Sequence, residues 1–227
     1  MLTQVDITRI KSKITGVLQV NAGVAPARTA TLLPIKSLQG KLYEADVLAT
    51  ICERLVTVEG FRLNLIGGGK LMLKQKGGPI NRLYPYFEVW QGSTLFAELF
   101  TDVYFDTLSY HIRGSTNPRS YGDYHELDIA LIHPNLSGNP KHDQIMLAVE
   151  CKNTSIEKSI IRELLGFRRE LSFYDRTSNP TYFSKFPAST VNASPNSIHM
   201  LYCSDKNVTR YSSNCIMFGI LLQHHVM

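Results

Sequence analysis

Apolar residues recur with a period near 3.6 in three stretches of the chain, and alternate or run together in most of the rest. Ile7, Ile10, Ile14, Val17 and Leu18 mark the first stretch, an amphipathic helix whose polar face is basic. In the second, over residues 41–59, Leu48, Ile51, Leu55 and Val58 form one helical stripe. In the third, Ser155 is placed to cap a helix from about Ile156 to Phe173. Ile156, Ile160, Ile161, Leu164, Leu165, Phe167 and Leu171 fall at helical spacing there, with Arg162, Arg168 and Arg169 on the more polar sides.

The remaining apolar segments have strand character. Residues 61–66, 71–73, 86–91, 94–100 and 103–112 alternate or cluster, and are separated by Gly67-Gly68-Gly69, Gly77-Gly78-Pro79 and Gly92-Ser93. Two unbroken runs follow, 127–132 and 145–152, joined by a turn over 133–144 that is rich in Pro, Asn, Gly and Asp. Residues 198–203 and 215–222 read as the last core strands. Polar loops are expected at 113–124, which runs into the first of those strands, and at 175–197, which exceeds the usual connection length and reads as an insertion or lid. Its Tyr182, Phe183 and Phe186 argue that part of it packs.

Composition narrows the class. A chain of 227 residues can bury a substantial core in one or two domains, and no apolar stretch approaches the length of a membrane span. The N-terminus carries Asp6, Arg9, Lys11 and Lys13 where a signal peptide would be apolar, so a soluble cytoplasmic protein is expected. Cys52, Cys151, Cys203 and Cys215 sit in apolar elements without zinc spacing and read as small core residues. The formal charge of +5 lies entirely within residues 1–41, which hold six basic residues and one acid. That basic arm suits phosphate-backbone contact, or serves as an ordinary solvated face packed on the core.

Charge in the two unbroken runs is what changes the picture. Asp128 interrupts one, and Glu150-Cys151-Lys152 ends the other. Alternation along a strand puts Glu150 and Lys152 on one face and Cys151 on the other. Buried charges need mutual pairing or a bound cation. Two carboxylates suit Mg²⁺, and a lysine beside them can hold a water or offset charge on a phosphate.

An Asp on one strand, Glu-x-Lys on the next, a hairpin between and a helix after resemble the PD-(D/E)xK nuclease superfamily; Leu127 stands where that pattern often has proline. Gly40-Lys41-Leu42-Tyr43-Glu44 is similar to the glycine-led start of its first core helix. The resemblance implies a three-layer, restriction-endonuclease-like α/β core with a central mixed β-sheet flanked by helices, plus extra β-hairpins. It implies Mg²⁺, with Mn²⁺ as a substitute, held by Asp128, Glu150 and the Cys151 carbonyl. Lys152 would position water or stabilise the phosphate, with Glu44 assisting. Glu44 lies seven positions before Ile51 and so falls on the inward stripe, although acids also favour the first helical turn for its dipole.

The implied activity is endonucleolytic hydrolysis of DNA in restriction, phage defence or repair, by a homodimer or with a partner such as an ATPase or helicase. The competing class is a catalytically silent or partner-dependent DNA-binding subunit, and RNA is a third substrate. Arg113 and Arg119 in a tyrosine-bearing loop, with Lys70, Lys74 and Lys76 in a stretch without nearby acids, are the expected nucleic-acid contacts. Residues 1–39 are read as a basic arm. Residues 40–227 form the nuclease-like domain, with a β insertion at about 61–112 and a polar loop at about 175–197.

Overall fold

The structure is a computed structural model that describes residues 3–33, 39–67, 72–115 and 118–227. Lys70 and most of the expected glycine turn at 67–69 lie outside the described residues.

Helix α1 (Gln4–Ala22) starts at a reciprocal cap. Thr3 Oγ1 accepts the Asp6 N–H at 3.2 Å, and Asp6 Oδ2 accepts the Thr3 N–H at 3.0 Å. It ends at Gly23, whose φ of 61° suits glycine. The stripe Ile10, Ile14, Leu18 and Ala22 is buried in the same cluster as Leu48, Ile51 and Leu55 of α3 (Gln39–Thr57). Each such side chain contributes about 1.5–3 kcal/mol on burial. The basic arm is therefore a core layer, and its charges are engaged inside the molecule. Lys13 Nζ lies 2.9 Å from Asp46, Lys11 donates to the Leu33 carbonyl, and Arg9 lies 3.8 Å from Asp6. Between α1 and α3 runs the short helix α2 (Pro26–Leu32).

Seven strands form one mixed sheet, in the order β1 (Arg62–Ile66), β2 (Tyr86–Gln91), β3 (Thr94–Asp106), β4 (Tyr124–Ile132), β5 (Ile145–Lys152), β8 (Ile198–Cys203) and β9 (Ile220–His224). Pairing is antiparallel from β1 to β5 and parallel from β5 through β9. One face packs on α1 and α3. The other packs against α5 (Lys158–Leu171), which with the sheet between gives the expected α/β architecture of a mixed sheet flanked by helices. A parallel neighbour requires a crossover, and the chain supplies it between β5 and β8 through α5 and a two-stranded ribbon of β6 (Phe173–Pro180) and β7 (Thr190–Ser194).

Several boundaries differ from the sequence reading. The third helix starts at Lys158 instead of Ile156, and Ser155 does not cap it, because the Ile156 N–H is held outside the helix by Asp205 Oδ2 at 3.0 Å. Residues 94–106 form one long strand, and Leu108–Ile112 is the helix α4, capped by Thr107 Oγ1 on the Tyr110 N–H. The 175–197 segment is the β ribbon, with Phe183 and Phe186 buried in the core. Cys215 and Ile216 belong to α6 (Ser212–Ile216), and β9 begins only after Gly219 turns the chain at φ 68°. Met72 and Leu73 are not in a strand.

Candidate metal and acid–base site

Asp102 and Asp128 sit where β3 and β4 both break alternation. Ala97 and Leu99 pack on the α3 face, yet Val103 and Phe105 pack on the opposite face. On β4, Ile129 and Leu131 pack toward α3 while Leu127 packs away. Register is unbroken on either side, with Thr101 opposite Ile129 and Val103 opposite Leu127, so Asp102 lies across from Asp128. Asp102 accommodates the change of face with a φ of 50°, an uncommon value for a residue other than glycine.

The consequence is a group of three carboxylates. Glu44 from α3, Asp102 and Asp128 place one oxygen each within 4.8 Å of one another. Lys41, one turn before Glu44, puts its ammonium 2.6 Å from Glu44 Oε2 and 2.5 Å from Asp102 Oδ1. Asp102 Oδ2 is buried and has no partner. Burial pushes the Glu44 carboxyl up to about 7, against the pull of Lys41. Burial likewise raises Asp102, and raises Asp128 against the Cys151 N–H and Lys152. For Lys41, the hydrogen bonds and charges of Asp102 and Glu44 outweigh burial and hold the ammonium charged.

Asp128 also faces β5. Pairing between β4 and β5 runs to Ile129 and Val149 and then stops, and Asp128 Oδ2 accepts the Cys151 N–H at 2.7 Å in the fork that opens. An antiparallel residue carries its N–H and C=O on the same strand edge, so the Cys151 carbonyl is turned to this fork as well.

Glu150 and Lys152 share a face, as alternation requires, and that face is toward α5. Lys152 Nζ is 3.8 Å from Glu150 and 3.6 Å from Glu163 of α5. Glu150 is buried with Oε1 unpartnered, and its carboxyl is held well above the usual range, first by burial and then by the Asp128 charge. Around Lys152 the three carboxylates of Glu150, Glu163 and Asp128 outweigh burial and raise the amine. The structure therefore joins Asp128 to Glu44 in one cluster and leaves Glu150 outside it, on the far side of Asp128, beside Lys152.

Three hard oxygen ligands around a buried, unpartnered carboxylate oxygen, with an ammonium already drawn into the same space, fit a divalent cation. A cavity of about 20 Å³ adjoins Lys41, Glu44 and Asp102, enough for one water or ion, and is covered by Leu32 and Leu33 at the end of α2 and by Leu73, Lys74 and Gln75. Asp102 escaped the sequence reading because it was taken as a break between two strands. The clue that flagged Asp128, an acid inside an apolar run, was present there too.

The expected nucleic-acid contacts are mostly engaged. Arg113 pairs with Asp123, Arg119 with Asp106 at 2.6 Å, and Lys74 donates to the carbonyls of Gly78 and Pro79. Lys76 is exposed. Among the described residues no helix is long and apolar enough to cross a membrane, and no cysteine is in a disulfide. Comparisons with protein-family models, curated proteins and solved structures find no match.

Proposed function

We propose that this protein is a Mg²⁺-dependent phosphodiesterase acting on DNA. The observation that carries the reading is the position of Asp128, which joins Glu44 and Asp102 through its carboxylate and meets Glu150-Cys151-Lys152 through the Cys151 main chain. Glu44, Asp102 and Asp128 would hold the cation, with the Cys151 carbonyl as a further oxygen. A cation bound there supplies Lewis-acid polarisation of a phosphate oxygen and a more acidic water. Lys152 is kept charged by its carboxylate neighbours and supplies a fixed positive group toward a phosphate at the fork. Glu150, protonated more readily than a free carboxyl because of burial and Asp128, is suited to exchange a proton with a water or leaving oxygen.

The test is conversion of supercoiled plasmid by purified protein with Mg²⁺ or Mn²⁺, repeated with chelator and with Asp128→Asn. Rate should fall by about 10²-fold or more in both controls, because loss of a metal ligand removes several kcal/mol of transition-state stabilisation. Cleavage that survives both comes from another site or another protein, and offering RNA beside DNA separates the two substrates.

A second reading has its own support. Lys41 neutralises two of the three acids by itself, and the cavity is closed by α2 and residues 72–75. A DNA-binding subunit that is silent until a partner shifts that cover needs no further assumption about the isolated chain. DNA binding without cleavage, with no Mg²⁺ heat signal by titration calorimetry, selects this reading.

A further inference from the structure

Arg168, near the end of α5, is a buried cation without a counter-charge. It is 4% exposed; Nε donates to the Phe218 carbonyl at 2.7 Å and Nη1 to Ser197 Oγ at 3.3 Å, while Nη2 has no partner. Among the described residues no carboxylate lies within 4.0 Å of it. The titratable neighbour His199 is fully buried with both ring nitrogens unpartnered, and burial with the Arg168 charge pushes it down to about 3, so it is neutral. A buried charge in this condition is costly unless an anion completes it.

A cleft of about 230 Å³ opens beside this guanidinium. Its walls are mainly carbon, from Leu165, Phe173, Tyr174 and Phe218, and its polar groups are Arg168, Arg169 and Ser172. Ser172 is buried and its Oγ is also unpartnered. Tyr174 and Phe218 meet edge to face at 5.8 Å, and the Arg169 guanidinium stands 5.4 Å over the Phe173 ring, so three partly exposed rings border the opening.

We propose that this cleft binds a small aromatic carboxylate, with the carboxylate on Arg168 and Ser172 and the ring among Phe173, Tyr174 and Phe218. A guanidinium fork matches a planar carboxylate, and a flat ring suits the aromatic border. A nucleotide fits poorly because its sugar hydroxyls would face walls that cannot hydrogen-bond. The cleft is distinct from the acid site: Ser197 precedes the first residue of β8, whereas Lys152 lies beside the last, Cys203, about 16 Å further along the strand.

Titration calorimetry on the full chain with benzoate and indole-3-acetate, against benzamide, indole-3-acetamide and AMP, tests the assignment. At least one acid should bind saturably, with its amide weaker by about tenfold or more, as expected when a charge-assisted hydrogen bond in a desolvated site is lost. Arg168→Lys should cost a similar factor. If that variant fails to fold by circular dichroism, Ser172→Ala and Phe218→Leu take its place, and both should weaken the acid. Amides binding as well as acids, AMP binding where both acids do not, binding indifferent to every folded variant, or no binding of either acid at millimolar concentration each overturns the proposal.

Discussion

Lys41 holds two carboxylates that burial would otherwise drive to the protonated form, and its charge is the part of the candidate site that exists without any ligand. Replacing it by Met strands a buried acid pair. Because the lysine is partly exposed, the cost should be about 2–3 kcal/mol in urea unfolding without divalent ions, below the ~3–5 kcal/mol of a fully buried broken pair. Asp102→Asn in the Lys41→Met background should recover part of that loss. If the three acids take a divalent ion, Mg²⁺ should raise the melting temperature of Lys41→Met more than that of the parent chain, since the competing ammonium is gone. Gly77 is fixed by a different constraint: a Cβ there would collide with the Tyr104 ring and the Glu126 carboxylate, so Gly77→Ala should destabilise the chain by about 1–3 kcal/mol through overpacking.

At the scale of elements, the ribbon between α5 and β8 is tied down by one carboxylate. Glu59, just beyond α3, accepts the N–H groups of Ser184, Lys185 and Phe186 and the Ser184 hydroxyl, and Arg54 stands 4.4 Å over the Phe186 ring. Burial works to raise the Glu59 carboxyl, but these hydrogen bonds outweigh it and hold it below the usual range. A depressed carboxylate contributes stability that is present above its unfolded pKa of about 4.3 and is lost as pH falls through the folded value. Residues 184–186 should therefore loosen below about pH 4, seen as amide shift changes by NMR. Glu59→Gln should be loosened already at neutral pH and show no such transition.

Across the whole molecule, α1 is joined to α3 and to the C-terminal segment through Asp46. This buried carboxylate meets Lys13 of α1 at 2.9 Å and His225, after β9, at 2.8 Å. Burial opposes its ionisation, and the bonds from His225 and Lys13 prevail, so its carboxyl lies low. Its contribution is present above an unfolded pKa of about 3.9 and is lost as pH falls below that through the folded value. With Ile10, Ile14 and Leu18 continuous with the α3 cluster, α1 unfolds with the rest. Leu18→Ala should lower global stability by about 2–5 kcal/mol and keep one unfolding transition by both fluorescence and circular dichroism. A separate low-temperature transition would mean that the arm is an independent unit.

How far the chain was legible follows from where local pattern and tertiary contact agree. The stripes of α1, α3 and α5 and the runs of β4, β5 and β8 were readable because each buries a face with its own period. Glu44 was placed inward by counting turns, and Glu150 with Lys152 on one face by alternation. The ribbon at 173–194 was hidden because its polar residues are exposed on a two-stranded sheet, and β9 because Gly219 ends one apolar run and starts another. By itself the sequence determined the α/β layering and which charges lie within apolar runs, since period and burial are local properties. Only the tertiary structure decided which acids meet. Alternation counted from Ala130 sends Asp128 away from Glu44, and the paired breaks at Asp102 and Asp128, enforced by neighbouring strands in register, turn both toward α3.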